Sequence, residues 1–247
     1  MTSAGDTPVL RDLWTTSPEY RQLYQPTDEV EAIVRLLDME HATALLDIGC
    51  GNGLFAIAAA QANPNCRVWA FDALESATTQ CQAAALLAGL SSDRFAVGNG
   101  VAESIPLPDS SVDRVLCRAV LHHLPDPQRA YREFARVLCP GGLLLLQAPC
   151  NYWQREWGGI ISDLYMLDDD SHHRHYHQPA AVIAGLNLAG LAMTHAHCWT
   201  YPRRNLDPKS VDFIKQHGAE GRFQLRQESD GTWSCALYWL RVLATRL

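Results

Sequence analysis

Positive charge is in short supply in this chain: 20 Lys and Arg stand against 27 Asp and Glu, a formal net charge of −7. That balance suits a polyanion poorly, because phosphate contacts draw on Lys and Arg, so no nucleic-acid partner is expected. Eight cysteines are present but none sits in a C-x-x-C pair, which removes the usual spacing of zinc sites. No stretch reaches the roughly 18 apolar residues that a membrane span needs. The opening MTSAGDTPVLRDLW lacks the basic start and apolar run of a secretory signal. Repeats and low-complexity tracts are also missing. These absences predict a reduced, cytoplasmic protein with no membrane span, and they leave a homodimer open.

Apolar residues are plentiful, at 47 % of 247 residues, enough for one large α/β domain. Short apolar runs alternate with helical patterns. TALLDIG (43–49), RVWAFD (67–72), RFAVG (94–98), VDRVLCR (112–118) and LLLLQAP (143–149) read as strands. Between them lie the helical stretches LFAIAAAQA, ESATTQCQAAALLAGL and DPQRAYREFARVL, and PGG (140–142) reads as a turn. Helices alternating with buried strands predict a doubly wound, mainly parallel sheet. A helix over 178–190 and two late strands, LAMTHAHCWTY and GTWSCALYWLRVLAT, follow. The helix-like PKSVDFIKQHG between those strands allows them to pair antiparallel.

The stretch LLDIGCGNG (45–53) concentrates the functional signal. Ligands of such sheets bind beyond the carboxyl ends of the strands. Gly49, Gly51 and Gly53 follow the first strand and let backbone approach a ligand closely. Asp72 ends the second strand, 23 positions after Gly49, where an acid accepts from ribose hydroxyls. The glycines run G-x-G-x-G, whereas a dinucleotide site wants G-x-G-x-x-G. Asp47, just before the loop, would repel a pyrophosphate and attract an ammonium or a sulfonium. A positively charged, phosphate-free nucleoside fits better than NAD, and S-adenosylmethionine is such a ligand.

LLDIGCGNG, VWAFD, AESIPLPDSSVDRVLCRAVLHHLPD and YREFARVLCPGGLLLLQAP together resemble the class I S-adenosylmethionine-dependent methyltransferases, in particular their small-molecule group. The resemblance covers about residues 43–149, with four motifs in order. It implies a seven-stranded Rossmann-like sheet with an antiparallel last strand, and a lid. The division implied is an N-terminal helical cap (1–42), a cofactor-binding core (43–149), a lid and substrate segment (150–177), and a C-terminal part (178–247) completing the same domain. Position by position, it implies that Asp47, Gly49, Cys50, Gly51 and Asn52 line the methionine end of the cofactor. Asp72 would bind the ribose, with Ala73 and Leu74 flanking the adenine. Arg118 and Ala119 would border the methyl group through their backbone. Where the family shows Gly-Asp-Ala before E-x-L-P, this chain has Gly100-Val101-Ala102. The adenine is then read either by Asn99 or by backbone alone around Val101 and Ala102.

His122 and His123 follow the fourth strand and are candidate general bases; the family reading of LHHLPD also allows them to hold a loop. Tyr152, Trp153 and Trp157, with Tyr24 from the N-terminus, are candidate walls of a substrate pocket. Arg203 is a candidate for a substrate carboxylate or phosphate. The run HHRHYH (172–177) beside Asp168, Asp169 and Asp170 invites a metal. Its histidines are contiguous rather than set at helical spacing, and no metal is expected. The function implied is methyl transfer to O, N or C of a small, aromatic or apolar metabolite. The rivals are a tRNA or protein methyltransferase, and a protein that binds the cofactor without methylating.

Overall fold

The strand β1 (Ala44–Ile48) is buried along all but its first residue, because it lies between two parallel neighbours with helices on both faces. The computed structural model describes residues 27–124, 126–150 and 175–247. Beside β1 run β2 (Arg67–Asp72) and β4 (Val112–Arg118), and outside these run β3 (Phe95–Asn99) and β5 (Leu138–Pro149). All five are parallel. The chain then adds β6 (Leu191–Arg203), a short β7 (Arg226–Gln227) and β8 (Trp233–Arg246). β8 inserts between β5 and β6, antiparallel to both. The order is β3-β2-β1-β4-β5-β8-β6, with β7 paired to β8 off this path. β7 is the eighth strand, one more than expected. It is two polar residues folded back onto Trp233 and Ser234, too short to leave a periodicity.

The helices are α1 (Thr27–Leu36), α2 (Leu54–Ala62), α3 (Glu75–Leu87), α4 (Gln128–Val137), α5 (Pro179–Leu188) and α6 (Pro208–Gln216). Alternation along the strands divides the core. Leu46, Ile48, Val115, Leu144, Leu146 and Val242 face Tyr131 and Phe134 of α4 and Val182 and Leu186 of α5. Leu45, Leu116 and Leu145 face Ile33 of α1, the alanines 56, 59 and 60 of α2, and Cys81 of α3. Three small residues on α2 let that helix lie close to the sheet. All eight cysteines are free thiols, most of them packed as small hydrophobes.

Two further features shape the carboxyl end. The run Pro140–Gly142 lies within β5 as an irregularity rather than a separate turn. Val112 pairs with Leu138 and Arg114 with Leu143, so extra residues loop out on one strand in the manner of a bulge. β8 has 14 residues against five in β1. Its first half therefore overhangs the sheet where the parallel strands end. A third cluster, with Leu206, Val211, Ile214, Phe223 and Trp239, packs α6 onto this overhang. Asp207 caps α6, accepting from the Ser210 N–H at 3.0 Å.

Candidate active site

The strand order reverses between β1 and β4, and sheets of this kind bind ligands in the crevice beyond the carboxyl ends at that point. The loop after β1 is tied down first. The Phe71 carbonyl accepts from Gly49 N–H at 2.7 Å and Cys50 N–H at 3.0 Å. Gly49 and Gly53 have φ of +77° and +85°, a region that disfavours a side chain. A Cβ on Gly49 would lie 2.1 Å from Val120 Cγ2, and one on Gly53 would lie 2.5 Å from Cys81 Sγ. Part of the glycine requirement is therefore packing of the loop against the protein itself, in addition to ligand approach. Cys50 and Cys81 meet under this loop. The neighbouring Cys81 thiol and burial push the Cys50 thiol far above its ordinary range, so it stays protonated.

Asp72 bridges the loop to the next strand. Its carboxylate accepts from Gly51 N–H at 2.9 Å and Leu74 N–H at 3.0 Å, which holds it at the rim of the glycine turn. Asn99 lies opposite Asp72 in the β2–β3 register and is exposed. Gly100 N–H donates to the Asp72 carbonyl at 3.0 Å. Val101, 43 % exposed, forms a bridge with Ser104, and Ala102 is buried beneath. Ala73 is exposed and Leu74 partly buried. The second sequence cluster (72–74, 99–102) is thus assembled on one side of the crevice.

Asp47 and Arg118 form the other side. Asp47 is 2 % exposed, and its Oδ2 has no hydrogen-bond partner among the described residues. Burial, reinforced by the charge of Asp72 and opposed by Arg118 and a hydrogen bond from the Ala56 backbone N–H, pushes its carboxyl up to about 7. The Arg118 side chain is buried as well. Its Nη2 donates to Glu29 Oε1 of α1 at 2.9 Å and its Nε to Gln147 Oε1 at 3.2 Å. The guanidinium lies between two rings, 4.8 Å from the centroid of Phe55 and 5.1 Å from that of Trp239, a cation–π sandwich that orients its plane. Beside it, Ala119 adopts φ +57°, uncommon for a residue with a Cβ. Its N–H donates to the Gln147 carbonyl at 2.8 Å.

The turn Leu121–His123 follows. His122 is 6 % exposed and His123 is exposed. The His122 ring stacks on Tyr176 at 6.1 Å, its carbonyl accepts from His175 N–H at 2.7 Å, and His177 Nε2 meets the Leu124 carbonyl at 3.0 Å. Two histidines of the 172–177 run therefore dock the chain onto this turn. Among the described residues no group of His, Cys, Asp and Glu is placed to hold a metal.

Asp47, the glycine loop, Asp72 and Arg118 come together around one crevice. Arg203 does not join them: it pairs in register with Cys235, six positions along β8 from Arg241, about 20 Å at strand rise. Tyr24, Tyr152, Trp153, Trp157, His172, His173 and Asp168–Asp170 lie outside the described residues. The site also contains Glu29, Phe55, Gln147, Trp199, Trp239 and Arg241, which sequence reading did not single out. A polar residue interrupting an otherwise apolar strand, as Gln147 does LLLLQAP and Arg241 does ALYWLRVLA, is the signal that marks two of them.

Comparison with known proteins agrees with this geometry. Residues 46–146 match the family described as a methyltransferase domain. The 27-O-demethylrifamycin SV methyltransferase of Amycolatopsis mediterranei (strain S699) is 37 % identical over 116 residues, 47 % of this chain and 42 % of that protein. The uncharacterized methyltransferase YcgJ of Bacillus subtilis (strain 168) is 31 % identical over 153 residues, 62 % of this chain and 59 % of that one. The matches thus span about half the length of these curated relatives. The crystal structure of YcgJ superposes with a TM-score of 0.77 at 23 % identity, over 89 % of this chain and 98 % of that one. A geranyl diphosphate methyltransferase in complex with SAM superposes at 0.63 and 18 % identity, over 93 % and 95 %. Residues 46–146 thus match a methyltransferase domain, and the fold as a whole is that of solved methyltransferases, which supports the class I S-adenosylmethionine-dependent resemblance. The residues present fit the cofactor of that class: a buried carboxylate oxygen without a donor, Asp47 Oδ2, lies beside a cradle of bare backbone.

Two outcomes test this geometry. Gly49→Ala should destabilise the fold by about 1–3 kcal/mol through its strained backbone and the clash with Val120, and Val120→Ala added to it should recover part of the loss in urea unfolding. For Asp47, the folded carboxyl holds its proton up to about pH 7, whereas an unfolded one loses it near about 3.9. The folded state is favoured by this proton below the lower value, and that advantage is lost as pH rises to the upper one. Relative to Asp47→Asn, the unliganded wild type should therefore lose stability from pH 4 to pH 7 and change little above.

Proposed function

We propose that this chain transfers a methyl group from S-adenosylmethionine to O, N or C of a small, aromatic or apolar metabolite. The observation that carries the reading is the buried Asp47 carboxyl beside the glycine turn, whose Oδ2 has no donor among the described residues, with Asp72 tied to the same turn. A ligand with a cationic sulfur, a ribose and no phosphate answers both acids. When bound, S-adenosylmethionine supplies a methyl on a sulfonium, a good electrophile that needs little more than an in-line nucleophile.

In this reading the work of the protein is placement. Asp72 accepts from the ribose hydroxyls. Ala73, Leu74, Asn99, Val101 and Ala102 flank the adenine, with Val101 offering an apolar surface in place of an acid. Asp47 and the backbone of Gly49, Cys50, Gly51 and Asn52 hold the methionyl end, and the Arg118–Ala119 backbone borders the methyl. Fixing the partners in line supplies on the order of 7–11 kcal/mol. Where the acceptor must lose a proton, His122 is the candidate, buried at the turn after β4 and stacked on Tyr176. A base contributes typically about 10²–10⁴-fold. His123, exposed, is the weaker candidate. A relative named for 27-O-demethylrifamycin SV supports a small-molecule acceptor, and the net charge of −7 argues against tRNA.

Calorimetry with S-adenosylhomocysteine is the direct test. Asp72→Ala should weaken binding by about 1.5–3 kcal/mol, the range for a hydrogen bond to a charged group; unchanged affinity removes the ribose assignment. In labelled-methyl transfer into a metabolite extract, His122→Ala should lower turnover more than cofactor affinity. Equal losses in both assign it to holding the loop.

A further inference from the structure

The strand register sets a polar row across the crevice. Arg118 of β4 pairs with Gln147 of β5, Gln147 with Arg241 of β8, and Arg241 with His197 of β6. Paired residues share a face, so this row continues the cofactor crevice sideways, away from β1. Arg118 is the answered cation of the row, through its ion pair with Glu29. Arg241 differs. Its Nε is buried without a hydrogen-bond partner, and none of the described residues places a carboxylate within ion-pair distance of it. Gln147 is 0 % exposed; its Oε1 accepts from Arg118, while its Nε2 also lacks an acceptor. Two buried donors on adjacent strands thus want the same thing. Leaving them unmet costs free energy; burial disfavours the Arg241 charge, and the Glu29 carboxylate offsets this only in part while Arg118 adds to it.

We propose that Arg241 and Gln147 form the receptor for a carboxylate on the methyl-acceptor substrate. The guanidinium lies over Trp199 at 5.0 Å from the ring centroid, which fixes its plane, and a fixed planar fork matches a carboxylate bidentately. The Gln147 amide, a directly opposed antiparallel neighbour at about 4.5–5.5 Å between Cβ atoms, supplies a further donor. Charge selects the class. With Arg118 balanced by Glu29, the row has one unanswered positive charge, which a carboxylate monoanion balances and a phosphate dianion exceeds. The cofactor's own carboxylate is a poor candidate. β8 is three strands from β1, about 14 Å at the usual spacing, and Arg118 and Gln147 stand between the glycine loop and Arg241. The substrate is therefore an acid whose carboxylate docks on β5 and β8 while its acceptor atom reaches back toward Arg118 and Ala119.

This inference rests on the methyl-transfer reading, and the experiment separates the two. Calorimetry first measures S-adenosylhomocysteine binding to the full chain; its absence would sink the cofactor reading. The saturated protein is then titrated with 4-hydroxybenzoate and with 4-hydroxybenzamide. The acid should bind at least about tenfold more tightly. Arg241→Met and Arg241→Gln should remove that preference without changing affinity for S-adenosylhomocysteine, and Arg241→Lys should retain only part of it. Equal binding of acid and amide, or binding of neither, overturns the receptor, and this comparison in the wild type needs no variant. Loss of S-adenosylhomocysteine affinity in a folded Arg241→Met also overturns it, by assigning the arginine to the cofactor.

Discussion

A carboxylate buried at the reversal point of a parallel sheet organises everything around it. Charge removed from water is costly unless it is paired. Asp47 receives partial compensation from the charge of Arg118 and the Ala56 backbone N–H, and Asp72 acts against it. Without a ligand the balance keeps a proton on Asp47 up to about neutral pH; a cation in the crevice would draw that proton off. In the proposed reading the same residue is neutral when the site is empty and selects the charge of what enters.

Arg118 extends this logic. Stacked between Phe55 and Trp239 and tied to Glu29 and Gln147, it joins helices α1 and α2, which frame the cofactor crevice, to strands β5 and β8, which run on toward the proposed acceptor site. Its charge is used within the protein, so it serves as a strut. Arg241, one strand farther along the row, has no such use. Chemically similar side chains on neighbouring strands thus divide into a structural cation and a receptive one, and the difference lies in which of them has a carboxylate within reach. The overhang of β6 and β8, with α6 packed on it, raises a wall behind that row.

Much of the architecture was legible in the residues. The parallel strands were visible because each is a short apolar run ended by a turn, and α2 because Gly53 precedes it and Asn63-Pro64 follows. The glycine loop and Asp72 were legible because their spacing is local. Other features were not. The two-residue β7 has no pattern. The contact of Gly49 with Val120 joins segments far apart in the chain. Arg203 carried charge in a suitable loop, yet the long overhang of β6 takes it to the far end of the wall. The histidine run had no helical spacing to assign it a role, and its last members anchor backbone at residues 122 and 124.

The sequence alone determined the elements, the class of sheet and the acid-guarded glycine turn, because periodicity, turn residues and short spacings act between near neighbours in the chain. Tertiary structure alone decided that residues 118, 147, 197 and 241 form one row, and which arginine in it lacks an anion. That row exists because β8 inserts between β5 and β6 in one register. A slip of a single residue would send Arg241 to the opposite face, and nothing local to Arg241 records where its neighbours fall.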